Sequence, residues 1–362
     1  MRTLPLFLLF LTWTTVALCQ DVSAIPVAPV PPDRLELVTG PTQVPVSPEQ
    51  RGALVALMNR AVSHYALHQR GGPPHVLQIS FNATASTLNP GGAGQLRETW
   101  ISGENWRWDG NLGGYTLLRI SSNAAVYDQN PDSMIPLRLK MLANAVFAPI
   151  EGAPRKATIR TANVEWKGAQ ITCIMMSAEG NAQTPAAGRQ WYETEYCIDP
   201  ATGLLDIYSK APGVYTVYDY ANALSFHGRV LPGSITIAEN GTTVLAAQLT
   251  SIADTDPSNT SPFTPTSRMI AQGPATALQL PTRFPLPGPG AAPGTAMQPV
   301  IVHAVIDAKG NVRESEVLQT SSVSAAALDF VTRMKFAPAA TASGASPAER
   351  EAYINVRFRP AQ

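Results

Sequence analysis

Two cysteines, Cys173 and Cys197, stand in strand-like runs on either side of the Gly/Pro-containing loop EGNAQTPAAG. A hairpin centred on that loop brings them opposite each other. The chemistry on offer is a disulfide, and closing a loop of this size contributes about 3 kcal/mol on the chain-entropy account. A spacing so far from Cys-x-x-Cys argues against a redox-active pair. The five histidines, His64, His68, His75, His227 and His303, are scattered. Only His64 and His68 share a helical i, i+4 spacing, and with no third ligand in evidence they read as helix-flank residues rather than a metal pair. Trp100, Trp106 and Trp108 could stack a ligand, but aromatic side chains in a strand usually pack a core. Gly-x-Ser-x-Gly, His-Glu-x-x-His and phosphate-loop motifs do not occur in the sequence. The expectation is therefore a non-enzymatic protein with no cofactor and no metal. Formal charge is zero and charged residues make up 14% of the chain, so no electrostatic footprint for nucleic acid is visible.

These residues need a compartment and elements to hold them. The start, MRTLPLFLLFLTWTTVALCQDVS, has one positive charge at Arg2 and an apolar run from Leu4 to Leu18, the layout of a secretory signal peptide over residues 1–19. Small side chains at Ala17 and Cys19 fit cleavage after Cys19 and release into a periplasmic space. The rival reading makes Cys19 a lipidated first residue. Removal of the signal leaves an even number of cysteines in an oxidising compartment, which favours the disulfide. Residues 20–46 alternate Pro with small apolar residues and read as an extended arm. Next comes SPEQRGALVALMNRAVSHYALHQRGG. Ser47 and Gln50 have capping-box spacing, Pro48 sits at the first helical position, and Leu54, Leu57, Met58, Ala61, Val62 and Tyr65 form one apolar stripe. A series of strand-like segments follows up to residue 255, interrupted by a second helical pattern in MIPLRLKMLANAVFA. The pattern predicts an α+β domain over 47–255: a long antiparallel meander with two covering helices.

From residue 256 to 298 the chain is dense in Pro, Gly, Ser and Thr and reads as a semi-extended linker that holds the final module away from the first domain. The last segment, 299–362, has the order strand, strand, helix, strand. VIVHAVID offers apolar residues to both of its faces, AKGN supplies a turn with Gly310 suited to a positive φ, and Ser324 is placed to cap SAAALDFVTRMKF. AYINVRFRP alternates, with Ile354, Val356 and Phe358 inward and Asn355, Arg357 and Arg359 outward.

VHAVIDAKGNVRESEVLQTSS, AALDFVTRMKFAPA and YINVRFRP, with RFP upstream at Arg283 to Pro285, resemble the C-terminal domain of the TonB family over residues 281–362. The resemblance implies a small ββαβ domain that docks an outer-membrane or envelope protein in support of transport. RETWISGENWRWDG, within the helix-and-meander plan, is similar to LolA-like half-barrels, which implies a concave sheet covered by helices and a lipid, lipoprotein or other hydrophobic ligand. Two functions follow: TonB-type envelope interaction, or carriage of a hydrophobic ligand in the half-barrel. A final strand reached by a long connection falls at a sheet edge. Tyr353, Asn355, Arg357 and Arg359 are thus the expected partner-binding strand, and the alternative is self-pairing into a homodimer.

Overall fold

The computed structural model describes residues 46–65, 67–68, 72–85, 90–129, 135–150, 157–177, 193–211, 214–239, 241–272, 300–307, 309–317, 323–338 and 350–356. The expected signal peptide, Cys19 and all of the arm except Val46 lie outside them, as do Arg357 and Arg359. Among the described residues no helix is long and apolar enough to cross a membrane.

The first element is α1, Pro48–Tyr65. Its capping box is formed: the Gln50 amide donates to Ser47 Oγ at 3.3 Å and the Ser47 amide to Gln50 Oε1 at 3.1 Å. Leu54, Met58, Ala61 and Tyr65 are buried at helical spacing, while Leu57 and Val62 flank the stripe half-buried. After α1 come β1 (His75–Ala83), β2 (Gly92–Ser102), β3 (Asn105–Leu112), β4 (Tyr115–Ser122) and β5 (Ala125–Asp128), each paired antiparallel with the next. The second helix, α2, spans Leu137–Phe147. A second meander follows: β6 (Thr158–Trp166), β7 (Ala169–Ser177), β8 (Thr194–Ile198), β9 (Leu205–Ala211) and β10 (Val214–Asp219). A small separate hairpin, β11 (Leu224–Phe226) and β12 (Arg229–Leu231), leads into β13 (Ser234–Glu239) and the long β14 (Thr242–Asp254).

β14 joins the two meanders, pairing with β1 on one side and β13 on the other. The result is one open thirteen-stranded antiparallel sheet with β6 at one end. Side chains alternate across it, as the period of two requires. On β1 the pattern is His75, Leu77, Ile79, Phe81 and Ala83 buried, with Gln78 and Asn82 exposed. The buried face continues through Leu96, Leu245, Ile237, Tyr218 and Tyr196, and α1 and α2 lie on it. The opposite face carries a smaller apolar cluster around Ile171, Ile207 and Tyr215.

The expected linker does not begin at residue 256. Residues 256–272 fold back along the first meander and end in β15 (Ile270–Ala271), which pairs with β5 and forms the other end of the sheet. Phe263, in a 3-10 turn at Ser261–Phe263, is 1% exposed and packs with Ile120 and Met269. Two apolar anchors in an otherwise polar segment suffice to hold it.

The final segment forms a three-stranded sheet in the order β17 (Val312–Val317), β16 (Val300–Ile306), β18 (Arg350–Val356), backed by α3 (Ser324–Thr332). Val300, Val302, Ala304 and Ile306 pack against Ala327 and Val331 of α3. Gly310 has φ +82°, and a Cβ there would lie 2.1 Å from the Phe336 carbonyl oxygen, so both backbone and space require glycine. Ser324 is not the cap: Val323 holds the N-cap position of α3, with no side-chain capping bond. Nor is the module held away from the first domain. His303 and Val305 are buried on the face away from α3, and Glu316, opposite His303 in the ladder, lies 4.0 Å from Arg138 of α2.

Candidate functional site

Three places on this scaffold could do something, and the densest lies where α1 runs out. His68 follows the helix in a bend, His75 opens β1, and Glu98 stands on β2 across from Leu77. The register therefore sets His75 and Glu98 diagonally on one face of the β1–β2 pair, facing the turn that carries His68. Glu98 Oε2 receives His68 Nε2 at 2.8 Å and His75 Nε2 at 3.1 Å. Its other oxygen accepts from Trp108 Nε1 at 2.6 Å, since Trp108 on β3 is paired directly opposite Glu98. His75 Nδ1 lies 2.9 Å from the Pro73 carbonyl oxygen, which can only accept, so that nitrogen carries hydrogen.

Aromatic rings enclose the group. His68 stacks on Phe147 and Trp100, His75 stacks on Trp100 and meets Phe226 edge-on, and Trp108 stacks on Phe147. The side chains of His75 and Glu98 are 0% exposed while that of His68 is 27% exposed, so solvent reaches the cluster from one side only. Burial alone would raise the Glu98 carboxyl; hydrogen bonds and charge from His68 and His75 outweigh it and hold the group below the ordinary range.

The second place is the apolar layer under the helices. It runs from Leu117 on β4 across the sheet to Ile174 on β7, and side chains of α1 and α2 fill it. Few polar contacts fasten the helices over this layer: Arg51 Nη1 donates to the Ala157 carbonyl at 2.6 Å, Arg60 to the Pro200 carbonyl, and Tyr218 Oη to the Ala145 carbonyl at 3.1 Å. A concavity of about 620 Å³ lies on the opposite face of the sheet, lined by Gln78, Gln95, Arg97, Asn111 and Thr116 among others. Its amide, hydroxyl and guanidinium side chains suit water better than an acyl chain.

The third place is β18. It pairs only with β16 among the described residues, which leaves its other edge open. Tyr353 stands opposite His303 and Asn355 opposite Ile301 in the ladder. The expected positions Arg357 and Arg359 fall outside the described residues.

Cys173 and Cys197 are directly paired on β7 and β8 and joined by a disulfide, buried on the face away from the helices. His64 and His68 are not brought together: His64 Nε2 approaches the Thr202 carbonyl at 3.3 Å, and His68 turns to Glu98. Trp100 packs in the interior as expected, but Trp108 also serves Glu98. Sequence reasoning missed the His68–His75–Glu98 grouping. Its signal lay in strand register, which only the pairing of β1 with β2 reveals.

No protein-family profile and no curated protein matches the chain. Among solved structures it is similar to the LolA superfamily protein NE2245 from Nitrosomonas europaea, with 10% identity, a TM-score of 0.39, and coverage of 58% of this chain and 96% of that one. It is also similar to LprF from Mycobacterium bovis, at 9% identity and a TM-score of 0.23 over 59% and 99% of the two chains. A third similar structure is MucB in the MucA/MucB complex of Pseudomonas aeruginosa, at 11% identity and a TM-score of 0.29 over 72% and 82%. Likeness at this level carries no argument about ligand.

Proposed function

We propose that this is a non-enzymatic binding protein of the cell envelope whose half-barrel takes up a hydrophobic ligand, the acyl chain of a lipid or lipoprotein. One observation supports the reading above others: a broad open sheet presents a continuous apolar face, and only two helices close it. Apolar area is non-directional in what it accepts, so a chain of methylenes can replace the side chains that α1 or α2 inserts. The helices are fastened largely by apolar contact, which the ligand itself restores. Entry then requires a helix to lift, since the concavity on the far face is polar.

The test uses the full chain. Organic extraction of protein isolated from its native compartment, followed by mass spectrometry, should yield stoichiometric lipid. A fluorescent fatty acid should bind and be displaced by unlabelled acyl chains. If extraction is clean and no acyl chain in a graded panel binds, the carrier reading fails.

A second reading rests on β18. An open edge strand in a module that resembles the TonB C-terminal domain favours recognition of an envelope protein by strand addition, with self-pairing as the competing use of the same edge. Proline at Val356 or at Asn355 removes one of two neighbouring backbone donors of opposite direction. One variant should lose a partner captured from envelope extract while the module stays folded. Retention by both, with the fold intact, would move recognition elsewhere.

A further inference from the structure

We propose that His68, His75 and Glu98 form a binding site for a divalent transition-metal ion, zinc or a close neighbour. The site is independent of the ligand proposed for the half-barrel.

Three lone pairs converge. Both histidines point Nε2 at the same carboxylate oxygen, Glu98 Oε2, at 2.8 and 3.1 Å. Donor atoms about 2.1 Å from a zinc ion and 90–110° apart around it lie roughly 3.0–3.4 Å from one another, so these separations are close to those of ligands sharing one ion. The ligand atoms of all three residues fall within 4.8 Å of one another. Two imidazoles and one carboxylate suit zinc, cobalt, nickel or iron(II) better than magnesium or calcium, which prefer all-oxygen sites.

The surroundings are those of an oriented site. The Nδ1–H of His75 is committed to the Pro73 carbonyl, which leaves Nε2 as the coordinating atom in the neutral ring. Trp108 Nε1–H holds Glu98 Oε1, which fixes the carboxylate with Oε2 forward. Stacked rings of Trp100 and Phe147 keep both imidazoles from turning. His68 is the part-exposed ligand, so the ion would have an entry path and an open coordination position on its side.

A cluster held by protons alone is the rival. It needs hydrogens on both Nε2 atoms facing Oε2, and because Nδ1 of His75 already donates, it makes that fully buried ring an imidazolium. A divalent cation meets the same three lone pairs without that cost.

The experiment is a cobalt(II) titration of chelator-treated full-length protein near pH 7.5, read by visible absorption, followed by displacement with zinc. One equivalent should bind, zinc should displace it, and the melting temperature should rise with metal concentration. His68→Ala, at a part-exposed position, should weaken cobalt binding by about 100-fold or more and remain folded without metal. His75→Gln and Glu98→Gln should do the same where they fold. His64→Ala should leave binding unchanged. The proposal is overturned if the folded wild-type protein binds neither ion at about millimolar concentration, if His68→Ala retains affinity within about threefold, or if His64→Ala removes it.

Discussion

At the scale of single residues, two buried charges make the sharpest predictions. Burial pushes the Asp206 carboxyl up to about 6, the negative charges of Asp199 and Asp219 add to the rise, and Lys167 opposes it. The folded state therefore holds this proton more tightly than the unfolded chain. Its contribution to stability is complete below about pH 4 and lost as pH rises through 6. Asp206→Asn should stabilise the protein by roughly 1 kcal/mol at pH 7.5, a figure reduced for partial exposure, and the gain should vanish near pH 4. Urea midpoints across that range check it. The second charge is Arg160, which holds Glu193 through a bidentate pair at 2.6 and 2.8 Å with both side chains almost fully buried. Glu193→Gln should cost about 3 kcal/mol by leaving the guanidinium short of its counter-charge. Cys173 and Cys197 were legible from the sequence because parity, compartment and hairpin geometry agreed. The His68–His75–Glu98 group was not, because i, i+4 spacing drew attention to His64 and nothing in the text says which residues of β1 and β2 face each other.

Elements were legible where a local code marks them. The Ser47/Gln50 capping box, the stripe of α1 and the span of α2 need only a short window of sequence, and they fold as expected. Residues 256–272 defeat such a window: Asp256 and Asn259 satisfy backbone amides of Ser258 and Ser261 in tight turns, and Phe263 and Met269 anchor the segment without any period. The element-scale prediction concerns the strand pair β7–β8. Reducing the disulfide between them should lower stability by roughly 2–4 kcal/mol, measured as a shift in urea midpoint with and without reductant. Ser47→Ala, which removes one half of the capping box, should cost about 1 kcal/mol.

At the scale of the whole molecule, the small sheet rests on α2 through a face that includes His303 and Glu316, close to Arg138. Burial, then the positive charges of Lys140 and Arg138, lower the His303 imidazole to about 4. The unfolded or undocked ring binds a proton near 6.5, so docking stability is complete above that pH and is lost as pH falls through 4. Limited proteolysis at pH 7.5 and pH 4.5 should show the module released at the lower pH, and His303→Leu should shrink the difference. Composition foretold two α+β units but not their contact, because a Pro-rich connection says how far a module can reach and not where it comes to rest.

β14 sets a different kind of consequence, one of time. During synthesis β1 is made early, and its open side has no neighbour until residues 242–254 appear; the same strand completes β13. Closure across so long an intervening chain is slow relative to hairpin formation, so both meanders form first and wait with bare edges. A chain ended at residue 241 should therefore self-associate through those edges, and a synthetic peptide of residues 242–254 added in trans should suppress the light scattering. β14 is the last piece of the sheet's centre to be translated, and until it arrives the nascent chain depends on something else to keep its strands apart.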